Sequence, residues 1–305
     1  MSKLCGGVWV PAATPFAVDG QVDQSLFLKH CQYLIDEGAD GLAILGTTSE
    51  ANSLSVSERL DQLNLLLANG IRPDQLMPGT GSSAITDAVQ LTKASVDAGC
   101  AGVLVLPPFY FKPVSDDALF AYFSELIERV GNANLRVYLY HIPPIAQIGF
   151  SLSLIARLLK TYGPVIAGLK DSSGDFNNTL AVIKEFPSMG VFPGSEAFLL
   201  DGLRAGGVGC ITATGNINVR EIKNVYSNWT TASADALQEA ITRRRKIAQS
   251  YPLIPAVKAV LAHRYNESTW RRTRVPLLRL DKALEDKLIQ ELVLDGYEIP
   301  AAKVS

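Results

Sequence analysis

Val165-Ile166-Ala167-Gly168-Leu169-Lys170-Asp171-Ser172-Ser173-Gly174-Asp175 takes an apolar run into a polar turn, with one lysine at the junction. Short apolar segments rich in β-branched residues and closed by Ser and Gly read as buried strands. A lysine at the end of such a strand is costly, because taking an ammonium out of water costs several kcal/mol unless the charge is paired or given up. Two readings follow. Lys170 pairs with Asp171 or Asp175 at the strand end, or it works as a neutral amine that attacks a carbonyl and forms a Schiff base.

The same strand, turn and helix pattern extends outward in both directions. Val8 to Ala13, Gly41 to Leu45, Gln75 to Gly79, Val103 to Leu106 and Arg136 to Ile142 precede it as candidate strands. Gly190 to Pro193 and Gly209 to Thr212 follow it. Between them lie helical periodicities with recognisable starts: Asp23 and Ser115 as caps, a helix from Ser151, and Ser55 with Glu58 at capping-box spacing. Eight strand-then-helix units predict an α/β fold of the (β/α)8 TIM-barrel type. An open doubly wound sheet shares the alternation, but its dinucleotide-binding form carries a GxGxxG after the first strand, and none is present. After residue 218 the pattern becomes helix only. This predicts a barrel over 1–218 that carries the active site and a helical extension over 219–305, packed on the barrel or on a neighbouring subunit.

The bulk numbers are those of an ordinary globular chain. The 305 residues carry a formal net charge of -2, which gives no global attraction for nucleic acid or an anionic membrane. Cys5, Cys31, Cys100 and Cys210 have no metal-binding or disulfide-framework spacing. The first residues lack a signal-peptide core, and no apolar run is long enough for a membrane span. The expectation is a cytoplasmic protein with small-molecule partners or copies of itself, and no metal.

In a TIM barrel the active site forms at the C-terminal ends of the strands. That rule brings Lys170, Tyr140 and Thr47-Thr48 to one mouth. Tyr140 suits a proton relay beside an amine, although a core tyrosine with a satisfied hydroxyl has the same sequence signature. Gly46-Thr47-Thr48-Ser49-Glu50 offers hydroxyls and consecutive N–H groups to a carboxylate, or is simply a turn before a helix. Phe109-Tyr110-Phe111 reads as core or interface aromatics. His141, next to Tyr140 on a strand, faces the other way and reads as structural. Arg243 to Lys246 and Arg271 to Arg274 read as solvated surface.

Taken in order and spacing, Thr14-Pro15-Phe16, Gly46-Thr47-Thr48-Ser49-Glu50, Tyr140-His141-Ile142-Pro143, Gly168 to Asp175 and Gly194-Ser195-Glu196 resemble the dihydrodipicolinate synthase/N-acetylneuraminate lyase family across essentially the whole chain. The resemblance implies a barrel, commonly a homotetramer, and class I chemistry on pyruvate or a pyruvate-derived keto acid, with an aldehyde partner and no cofactor. Position by position, it makes Lys170 the Schiff-base lysine, Tyr140 and Thr47 the proton relay, and Thr48 the carboxylate site. Tyr110 matches a relay tyrosine supplied to the adjacent subunit, and Gly194 and Ile211 match pocket-lining positions.

Two departures carry information. Synthases of the family resemble Tyr-Asn-x-Pro-x-Arg-Thr after the relay tyrosine and hold the second substrate's carboxylate with that arginine; here Ile145 stands in its place, and an isoleucine makes no such contact. Ser49 replaces a glycine, which predicts strain if the position needs positive φ. A 2-keto-3-deoxy sugar acid aldolase fits best. Dihydrodipicolinate synthase, a keto-deoxy sugar acid dehydratase, and a non-catalytic keto-acid-binding barrel are the alternatives.

Overall fold

The computed structural model describes residues 5–299. Met1 to Leu4 and residues 300–305, the two ends of the predicted barrel and extension, lie outside the described residues. Among the described residues seven strands form: β1 (Gly7–Val10), β2 (Gly41–Leu42), β3 (Val103–Val105), β4 (Val137–His141), β5 (Ile166–Asp171), β6 (Gly190–Pro193) and β7 (Gly209–Ile211). All pair in parallel, in two arcs ordered β2-β1-β7 and β3-β4-β5-β6. The helices between them are α1 (Gln24–Asp36), α2 (Val56–Ala68), α3 (Ile85–Asp97), α4 (Asp116–Val130), α5 (Pro143–Ala146), α6 (Leu152–Tyr162), α7 (Phe176–Glu185) and α8 (Leu199–Ala205).

The predicted strand Gln75 to Gly79 does not form a regular strand. Gln75 ends a 3-10 turn over Pro73–Gln75, and Pro78 has no N–H to give a ladder. The segment from Leu76 onward nevertheless joins the two arcs. Met77 N–H donates to Leu42 O at 2.9 Å, Leu104 N–H donates to Pro78 O at 2.9 Å, and Thr80 N–H donates to Leu104 O at 2.9 Å. On the other flank Val208 N–H donates to Val191 O at 3.1 Å. The interior agrees with a closed ring: Trp9, Ala43, Met77, Leu104, Tyr138, Ala167, Phe192 and Ile211, one from each of the eight segments, form a single buried cluster. Such a ring is filled by side chains and is not a pore. Gly41 is required there, because a Cβ would fall 2.3 Å from the Trp9 ring.

One irregularity decides which way the central lysine faces. Val137 pairs with Ile166 but Tyr138 pairs with Gly168, so Ala167 is an extra residue in β5. A bulge shifts side-chain alternation by one beyond it. Without it Leu169 would lie opposite Tyr140 and face inward; with it Lys170 does. Gly168 makes the bulge possible, since a Cβ would sit 2.2 Å from Gly190 O and 2.5 Å from the Tyr138 ring.

Beyond β7 come α9 (Gly215–Ser227), α10 (Ala234–Gln249), α11 (Leu253–Tyr265) and α12 (Lys282–Leu294). The helix-only stretch predicted after residue 218 begins earlier, since α9 starts at Gly215 and leaves helical geometry at Asn218. α10 to α12 bury their apolar faces against Ala13 and Ile217 of the barrel. The arginine clusters read as solvated are largely not so. Arg244 pairs with Glu221, Arg245 lies 3.6 Å from the buried Glu196, Arg271 binds Glu285 at 2.7 Å, and Arg274 pairs with Glu58. No helix among the described residues is long and apolar enough to cross a membrane.

Candidate active site

Lys170 is the next-to-last residue of β5 and is only 5 % exposed. The pairing alternative from the sequence does not hold. Asp171 faces the opposite side, where its carboxylate accepts from Thr179 Oγ1 at 2.7 Å, Asn178 Nδ2 at 2.9 Å and Ser173 N at 2.9 Å. Asp175 caps α7 through Asn177 N. Among the described residues Lys170 forms no salt bridge; its Nζ lies 4.2 Å from the centre of the Tyr140 ring. The amine therefore packs against an aromatic face, with no carboxylate among the described residues within ion-pair distance of it.

Tyr140 is buried on β4 directly opposite Lys170. Its hydroxyl lies 3.2 Å from Thr47 Oγ1, while its ring carries the Lys170 amine. His141 points to the other face, where its Nδ1 accepts from Phe150 N–H at 3.0 Å; burial pushes its pKa down.

The turn after β2 supplies the rest. Leu45 and Glu50 hold left-handed backbone, with φ of 59° and 57°. Ser49 is not among the positive-φ residues, so the strain expected there falls on its neighbours. Ser49 is buried; its hydroxyl donates to Ala12 O at 2.6 Å and its carbonyl accepts from Thr14 Oγ1 at 2.8 Å, stitching the turn to the end of the first strand segment. Strained, over-determined backbone of this kind concentrates at functional sites. Among the described residues no acceptor meets the backbone N–H groups of Thr47, Thr48 or Ser49. Three adjacent donors of the turn are thus left without a protein acceptor.

Gly194 follows directly on β6; Asp171 O accepts its N–H at 2.6 Å, and a Cβ there would strike Ser172 Oγ at 2.1 Å. Ile211 is fully buried in the interior cluster beneath the mouth. Tyr110 is not brought to Lys170 in this chain: it is 75 % exposed on the loop after β3, edge-on to Phe111 at 5.3 Å. Ile145 stands exposed on the short α5 that follows β4.

A small crevice runs beside Tyr140 and Thr47, lined also by Leu45, Arg59, Gly79 and Leu106. A roomier cavity of about 330 Å³ lies between α1, α9 and Gly296 to Glu298, but its lining has no lysine, cysteine or histidine. Among the described residues no cluster of His, Cys, Asp and Glu suits a metal ion. Sequence reasoning missed the two left-handed residues and the hold on Glu50 by Lys258, 208 positions away; the only hint was a lysine in the apolar helix Leu253–Tyr265.

Comparison with known proteins gives a consistent setting. The model of the dihydrodipicolinate synthetase family matches residues 4–293. An uncharacterized DapA-like lyase of Chloroflexus aurantiacus is 33% identical over 283 residues, 90% of this chain and 91% of that protein. Among solved structures, dihydrodipicolinate synthase of Agrobacterium tumefaciens superposes with a TM-score of 0.89 at 29% identity, over 96% of this chain and 100% of that one. YagE of E. coli, a prophage protein of the dihydrodipicolinic acid synthase family crystallised with pyruvate, gives 0.88 at 26% identity, over 96% and 99%.

Proposed function

Because the chain belongs to the dihydrodipicolinate synthetase family, we propose that it is a class I lyase that forms a Schiff base with pyruvate or with a 2-keto-3-deoxy sugar acid. The observation that carries the reading is the unpaired, buried Lys170 beside a Tyr140 hydroxyl that reaches Thr47.

In this reading the neutral Lys170 amine attacks the keto carbon, and the carbonyl oxygen takes a proton to give a carbinolamine. Loss of that oxygen as water leaves a protonated imine, an electron sink that draws in the pair released when the C3–C4 bond of the keto acid breaks. The aldehyde departs, the enamine takes a proton at C3, and water releases pyruvate; condensation runs the same steps backward. Tyr140 and Thr47 move the protons at the keto oxygen and at the departing aldehyde oxygen. The keto acid's carboxylate lies on Thr48 and the free N–H groups of its turn, and Gly194 and Ile211 bound the pocket.

Tyr110 serves a neighbouring copy, with the homotetramer as the working form. Its 75 % exposure in the single chain supports this, since a large aromatic held in water is a common mark of a contact surface. Ile145 gives no cation to a carboxylated second substrate, which favours a sugar-derived aldehyde. Dihydrodipicolinate synthase is the second reading, favoured by the likeness to the Agrobacterium enzyme. A panel of 2-keto-3-deoxy acids, and of aldehydes with pyruvate, followed by pyruvate release or consumption, separates them. Cleavage of a keto-deoxy acid is expected; efficient turnover of aspartate semialdehyde would overturn the argument from Ile145.

A further inference from the structure

Glu50 closes the turn that carries Thr47, Thr48 and Ser49, and it does so in left-handed backbone. Its carboxylate is wholly buried and is divided between two holds on the helical extension. Oε1 pairs with Nζ of Lys258 on α11, itself wholly buried. Oε2 accepts the backbone N–H of Arg274 at 2.9 Å. The ring of Phe16 meets both cations, 4.5 Å from Lys258 Nζ and 4.8 Å from the Arg274 guanidinium. Arg274 also reaches Gly20 O at 2.7 Å and Ser53 O at 2.8 Å, so it ties the loop after β1 to the segment that follows the turn.

A left-handed glutamate persists only where its surroundings over-determine it. A buried ion pair is poor at adding stability compared with apolar residues of the same volume, but it fixes geometry strongly, because removing one partner strands the other charge. Both features sit one residue from the unused N–H groups. We propose that Glu50 and Lys258 form a positioning pair through which the helical extension holds the carboxylate-receiving turn in its binding shape, without either side chain touching the substrate. This rests on the reading of that turn as the keto acid's carboxylate site.

The two roles open to such a pair, stability alone or positioning, differ in what a variant changes. Borohydride trapping of the imine is followed as initial rate against pyruvate concentration in the full chain, alongside thermal melting. In Lys258→Met, half-saturation is expected to move to about tenfold higher pyruvate, the scale of a typical coupling between linked groups, with the saturated rate little changed. Glu50→Gln is expected to do the same, and the double variant to be no worse than either single, because the two act as one unit. The double variant leaves no stranded charge and carries the test if Lys258→Met fails to fold. Lys223→Met, which breaks an ion pair with Asp40 at the far ends of the strands, is expected to leave half-saturation unchanged. Folded variants that melt lower but trap at the wild-type half-saturation overturn the positioning role alone. Wild-type protein that traps no pyruvate at any concentration overturns the carboxylate reading and this inference together.

Discussion

Replacing Tyr140 by phenylalanine isolates the proton relay. The ring stays where it packs, beneath Lys170 Nζ at 4.2 Å, and only the hydroxyl that meets Thr47 Oγ1 at 3.2 Å is lost. One hydrogen bond of this kind contributes about 0.5–1.5 kcal/mol to folding, so the variant should fold and melt within a few degrees of wild type. Its chemistry should suffer far more, since a positioned acid–base group contributes about 10²–10⁴-fold to rate, or ~2.7–5.5 kcal/mol of barrier. The assay that needs no second substrate is exchange of the pyruvate methyl protons for deuterium, followed by proton NMR, because exchange requires the imine and enamine to interconvert. Thr47→Val should slow exchange in the same direction, and the double variant should fall no further than Tyr140→Phe, because the hydroxyls act in series. A Tyr140→Phe protein that exchanges at the wild-type rate would refute the relay.

Other outcomes follow from the same coordinates. His30 is fully buried between Tyr265 Oη and Asn216 Oδ1, each at 2.9 Å, and burial pushes its pKa from 6.5 down to about 3. The unfolded chain therefore holds a proton in that window that the folded chain does not. The contribution is complete above 6.5 and is lost as pH falls toward 3, at ~1.4 kcal/mol per pH unit. Denaturant melts of wild type and His30→Gln between pH 4.5 and 6.5 should show the slope reduced by about one proton in the variant; equal slopes would reject the assignment. Ile145→Arg should improve use of a carboxylated aldehyde by about 10-fold or more relative to an uncharged one, on the scale of a charge-assisted contact, and an unchanged ratio of kcat/KM values would count against Ile145 as a selector. Tyr110→Ala should lower exchange in the assembled protein without disturbing the fold of the single chain, and a wild type that is monomeric by light scattering yet fully active would contradict its role across subunits.

The strand order and the place of the lysine were legible because each strand is a short apolar run closed by Gly, Pro or Ser, and because barrel chemistry collects at one end. The third strand was over-read, since Pro78 interrupts a ladder that a hydrophobicity pattern does not register. That Lys170 faces inward beside Tyr140 rests on the extra residue Ala167, and nothing local in Ala167-Gly168 distinguishes a bulge from regular strand; the signal is the bulk of Tyr138 on the neighbouring strand. Ser49 was suspected of strain because glycine is usual there, whereas the strain lies at Leu45 and Glu50, where no glycine pattern points. Arg244, Arg245 and Arg274 looked solvated because their partners Glu221, Glu196 and Glu58 are remote in sequence. Burial of a charge depends on such long-range pairing, and no window of sequence contains it.

Incubation with pyruvate and borohydride, followed by digestion and mass spectrometry, tests the central claim most directly. A peptide containing Lys170 should gain the mass of pyruvate less water plus two hydrogens, Lys170→Ala should trap none, and Lys258 should remain unmodified. Trapping on another lysine, or none at saturating pyruvate, would contradict the assignment of Lys170 as the Schiff-base residue.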